Sequence, residues 1–93
     1  MASSVDSLIS AMRRGIVVIQ FRNGLDDARV TELRNVQAAV PEGTIVTPNS
    51  TGMRYEIAAT AYRRLLGCPS FTSAALDALR LFRGRFLGSG PGS

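Results

Sequence analysis

The chain of 93 residues contains no histidine, no lysine and no tryptophan, and it has a single cysteine. Without histidine there is no imidazole to serve as general base, proton shuttle or metal ligand. The lone thiol, Cys68, has no partner for an intramolecular disulfide, so the fold does not depend on an oxidising compartment. One thiol and seven scattered carboxylates do not supply the four ligands of a zinc site. Neither Gly-x-x-x-x-Gly-Lys-Ser/Thr nor Gly-x-Gly-x-x-Gly occurs, so no phosphate-cradling loop is expected. No metal, no cofactor and no catalytic residue are therefore expected, and the reading leans away from an enzyme. The longest apolar run, 16–19, falls far short of the roughly 20 residues that span a bilayer. The opening stretch carries its arginines after its apolar positions, the reverse of a secretory signal, and a cytoplasmic location is the expectation.

What is present points to one small folded unit. Hydrophobic residues make up 45% of the chain, near the average for soluble globular domains. A chain this short forms a single domain with a narrow stability margin. That domain is expected over residues 1–87, followed by a disordered Gly/Ser/Pro tail over 88–93. The net charge is +4, and all eleven basic residues are arginine. High-GC codon usage accounts for arginine in place of lysine, and guanidinium forks also suit phosphate and carboxylate.

Val5, Leu8, Ile9 and Met12 recur on one helical face, with Ser3 or Ser4 as cap and Gly15 as stop. Residues 16–21 form a continuous apolar, β-branched run, the pattern of a central strand covered on both faces. A second helix opens at Asp26-Asp27, with Asp26 as cap and Val30, Leu33 and Val36 or Gln37 facing inward, and ends at Pro41 and Gly43. Residues 44–47 read as a second strand, stopped by Pro48-Asn49-Ser50. The stretch GMRYEIAATAYRRLLG reads as helix by local propensity. As a strand, 57–62 would pair with the strand before it across a turn at 49–52. The last helix is capped by Thr72, stapled by Phe71 and faces inward through Leu76, Leu79 and Phe82.

Three segments in order, GIVVIQFRNGLDDARVTELR, IVTPN…GM…IAATAYRRLLGCPSF and ALDALRLFRGRFLGSGP, resemble the C-terminal part of the domain of unknown function number 3105. The family's His-x-x-Glu-His-Gly cluster is replaced by Ser10, Ala11, Met12, Arg13, Arg14 and Gly15, so only the glycine matches. Its Trp-Gly-Arg is replaced by Tyr62-Arg63-Arg64, and its Pro-, Gly- and His-rich N-terminal portion by the short first helix. Members are often membrane-anchored and face outward. The resemblance implies a strand over 57–62, against local propensity. The expected fold is α/β (α+β), ordered α-β-α-β-β-α, a partial thioredoxin-like sheet with helices packed on it. Residues 17–34 also echo the strand-to-helix start of the ribosomal stalk-base protein, without its lysine-rich continuation.

Two functional readings follow. In the first, the shortened domain leaves an edge or face that a partner covers. The chain is then a protein-interaction or self-assembly module, a homo-oligomer or a subunit, with Val5, Leu8, Ile9 and Met12 as contact surface. In the alternative, Arg13, Arg14, Arg63, Arg64, Arg83 and Arg85 form a basic nucleic-acid-binding face. Against it stands thin aromatic interleaving, with four Phe and two Tyr. Cys68, before Pro69 and near Arg63 and Arg64, is a distant candidate for a reactive thiol. With no resolving cysteine or histidine base, a structural cysteine is the plainer reading.

Overall fold

The computed structural model describes residues 5–49 and 54–88, with side chains from residue 8 onward. The elements run α1 (Val5–Arg13), β1 (Val17–Arg22), α2 (Asp27–Ala39), β2 (Thr44–Asn49), β3 (Ile57–Ala61), β4 (Arg64–Cys68) and α3 (Ser73–Phe86). The class and order are those expected, an α+β domain, with one more strand before the last helix. The cap expected at Ser3 or Ser4 and the tail from residue 89 onward lie outside the described residues.

The four strands form one mixed sheet in the order β2-β1-β3-β4. β1 pairs in parallel with β2 and antiparallel with β3, and β3 pairs antiparallel with β4. β1 is thus the central strand, as its unbroken apolar run demands. Val17 and Ile19 join the main core, Val18 lies on the opposite face, and all three are fully buried. The pairing expected of β3 is corrected. It does not pair with β2 but lies across β1 from it, and its hairpin partner is β4. β2 also runs through Pro48 and Asn49, beyond the stop read at those residues.

The main core lies between one sheet face and the helices α2 and α3. Leu33 and Val36 of α2 and Ala75, Leu76 and Leu79 of α3 pack with Val17, Ile19, Phe21, Val46, Ile57, Ala59 and Ala61. Both helices start as their sequences dictate. The Asp26 carboxylate accepts from the Arg29 amide at 2.9 Å, and the Thr72 hydroxyl accepts from the Ala75 amide at 3.0 Å. The other face carries smaller and more polar side chains, such as Ala58, Thr60 and Gln20. Tyr55 lies over Gly67, where a Cβ would meet its ring carbons at 2.4–2.6 Å, so glycine is required there.

Gly15 ends α1 in the left-handed region at φ 87°, and its carbonyl accepts from the Gly88 amide at 2.8 Å. A side chain at Gly15 would strike the Gly88 backbone at 2.7 Å, so glycine sets both the turn and the close approach. That contact ties the end of α3 to the end of α1.

Candidate functional site

The register decides where the arginines go. β1 and β2 begin, β3 ends and β4 begins at the same end of the sheet, as the pairs Val17–Thr44, Val18–Thr60 and Ala61–Arg64 require. α1 runs into the start of β1, α2 into the start of β2, and Gly88 after α3 bonds to Gly15. All three helices therefore finish at this end. Arg13 and Arg14 arrive from α1, Arg63 and Arg64 from the β3–β4 turn, and Arg83 and Arg85 from the last turn of α3. The six arginines singled out in the sequence are brought to one pole of the molecule.

The carboxylates are distributed differently. Asp26 and Asp27 open α2, Glu56 precedes β3 and Asp77 lies in the first half of α3, all toward the opposite pole. The ion pairs follow that division: Arg29 with Asp26 at 3.6 Å, Arg29 with Glu56 at 3.3 Å and Arg80 with Asp77 at 3.3 Å. Among the described residues, none of the six convergent arginines has a carboxylate within ion-pair distance. Glu42, exposed in the turn before β2, pairs with none of them.

Part of this clustering has a structural cause. Each helix end carries unsatisfied carbonyls and a partial negative charge of about half an electron, which cations complement. Arg83 shows this directly. Its Nη1 donates to the Val36 carbonyl of α2, left open because the Val40 amide bonds instead to the Gln37 carbonyl. Arg83 is thereby committed to the fold. Arg63 and Arg64 lie on no helix, and this reason does not reach them.

Aromatic rings hold the guanidinium groups of Arg63, Arg64 and Arg85. The Arg64 and Arg85 guanidinium carbons lie 5.6 and 5.5 Å from the centre of the Phe86 ring, and that of Arg63 lies 5.4 Å from the centre of the Tyr62 ring. Phe86 is tilted against Phe82 at 4.8 Å between centroids, and both are partly buried against the core. Arg63 has φ 62°, the one non-glycine residue with positive φ among those described. A left-handed arginine costs about 1–2 kcal/mol, and glycine or asparagine would relieve it. Tyr62 and Phe86 were not read as site residues. Spacing gave no hint that Phe86 meets Arg64, because that contact depends on the β3–β4 hairpin.

The other candidates separate. Leu8 is buried in the chain's own interior and Met12 is half-buried, while Ile9 is 43% exposed; the Val5 side chain lies outside the described residues. Leu8 therefore serves the fold of its own chain rather than an open contact surface. Cys68 is buried, and desolvation raises its thiol pKa, the opposite of an activated thiolate. Glu56, unremarked in the sequence, ties the opposite pole together: its Oε1 accepts from the Phe71 amide at 2.7 Å and from Arg29 Nη1 at 3.3 Å. Among the described residues no three of the Cys, Asp and Glu side chains gather into a metal site.

No family model, no curated protein and no solved structure matches the chain.

Proposed function

We propose that this chain is a nucleic-acid-binding module that engages the phosphate backbone with its arginine pole. The observation that carries the reading is the group Arg63, Arg64, Arg85 and Phe86: guanidinium groups set against aromatic rings, with no carboxylate at ion-pair distance among the described residues. A strained backbone at Arg63, where a relaxed residue would suit the turn better, supports a role other than stability. Ring-stacked guanidinium groups lose less freedom on meeting a phosphate than solvated ones, which favours binding. Arg13 and Arg14 widen the charged surface beside Gly15.

The test is a fluorescence-anisotropy titration of a single-stranded oligonucleotide over a range of salt. Binding through these arginines requires log K to fall linearly with log salt, by about 0.7 per phosphate neutralised on a single strand. Arg64→Gln and Arg85→Gln should each weaken binding and reduce that slope by about 0.7. No binding at low salt, or a slope unchanged by both substitutions, would defeat the proposal.

A further inference from the structure

The sheet has two edges, and they are finished differently. In β2, Pro48 has no amide to offer, and Gln37 Nε2 covers the Thr44 carbonyl at 3.2 Å. β4 has no proline within Arg64–Cys68, and among the described residues no element lies beyond it in the sheet. Along a strand, successive residues direct their amides and carbonyls to alternate sides. The Cys68 carbonyl accepts from the Glu56 amide at 3.1 Å, toward β3. Leu66 and Arg64 follow the same sense, so Leu65 and Gly67 direct theirs outward. Leu65 is 59% exposed, and Leu81 on α3, the helix that packs over β3 and β4, is 75% exposed.

We infer that β4 pairs antiparallel with β4 of a second copy of this chain, about a two-fold axis at Leu66. That register sets Leu65 opposite the partner's Gly67, and the reverse, and it is the one that satisfies all four outward amides and carbonyls. Centring the axis on Gly67 would set Leu65 opposite Pro69, which has no amide to donate. Centring it on Leu65 would set Gly67 opposite the left-handed turn at Arg63. In that register the Leu65 side chain comes beside the partner's Tyr55 ring, which covers Gly67.

Charge selects a second copy over another strand donor. A two-fold axis perpendicular to the sheet strands turns one molecule end for end. The arginine pole of each copy then lies beside the pole of the other that carries Asp26, Asp27, Glu56 and Asp77, and the two α3 dipoles run antiparallel. Arg64 falls opposite the partner's Cys68, so no like charges face each other across the ladder. An isologous pairing also closes, leaving as edges only the two β2 strands, where Pro48 offers no amide.

Light scattering on the eluting full chain, together with two variants, tests this. The wild type is expected at twice its 9.9 kDa chain mass. Leu65→Lys, at an exposed position, is expected to run at the single-chain mass with unchanged circular dichroism. In a Cys68→Ala background, Leu66→Cys should cross-link two chains on mild oxidation. Directly opposed residues of a non-hydrogen-bonded antiparallel pair sit about 4.5 Å apart, within reach of a disulfide. A wild-type monomer overturns the inference. So does a dimer that Leu65→Lys leaves intact and Leu66→Cys fails to cross-link, which would place the contact elsewhere, with Ile9 on α1 the next surface to vary. Nucleic-acid binding is read separately, by the anisotropy titration, so the two proposals fail on different measurements.

Discussion

Arg63 occupies a turn position that asparagine would fill with less strain, since asparagine tolerates the left-handed region and glycine's added chain entropy is avoided. Arg63→Asn should therefore raise stability, by up to about 1 kcal/mol, seen as an increase in the urea midpoint. The same substitution should weaken oligonucleotide binding, so stability and affinity move in opposite directions. Cys68 gives a second residue-scale expectation. Burial raises its thiol pKa in the folded chain, so the folded state keeps a proton that the unfolded state loses as pH climbs past the ordinary thiol value. Stability should accordingly decline on the alkaline side. The difference in melting temperature between wild type and Cys68→Ala, followed from neutral to alkaline pH, should narrow. A thiol reagent should label Cys68 slowly until the chain is unfolded.

At the scale of elements, periodicity marked α1, α2 and α3, and the caps at Asp26 and Thr72 formed as their side chains dictate. The continuous apolarity of 16–21 marked the central strand for the same physical reason, burial on both faces. β4 was hidden. Its sequence Arg-Leu-Leu-Gly-Cys favours helix locally, and its turn holds Tyr62 and Arg63 where asparagine and glycine usually signal a hairpin. Long-range pairing with β3 overrides that preference, an effect no local pattern carries. Hydrophobic spacing on α1 gave the face but not its use. Leu8 is 6% exposed and Ile9 43%. Leu8→Ala should cost about 2–5 kcal/mol in urea denaturation, whereas Ile9→Ser should stay within about 0.5 kcal/mol. Comparable losses at both positions would contradict this placement of α1.

At the scale of the whole molecule, the sequence shows eleven arginines and seven carboxylates without showing that they separate. The separation comes from topology. A parallel β1–α2–β2 unit and an antiparallel β3–β4 hairpin bring three helix ends and one turn to a single pole, and six arginines with them. Residue types made the arginines legible as candidates, but only the register could bring residues 13 and 14, 63 and 64, and 83 and 85 together. The meeting of Arg64 with the Phe86 ring was illegible for the same reason.

That polarity is the central claim, and position rather than total charge is what it predicts. The most direct measurement compares two triple variants in the oligonucleotide titration at one salt concentration. One carries Arg13→Gln, Arg64→Gln and Arg85→Gln, at the arginine pole. The other carries Arg22→Gln, Arg54→Gln and Arg80→Gln, away from it. Each lowers the net charge from +4 by three, to +1. The account predicts that the first loses nearly all binding and the second keeps most of it. Equal losses in both would mean that the chain attracts nucleic acid by overall charge alone, and the arginine pole would not be a site.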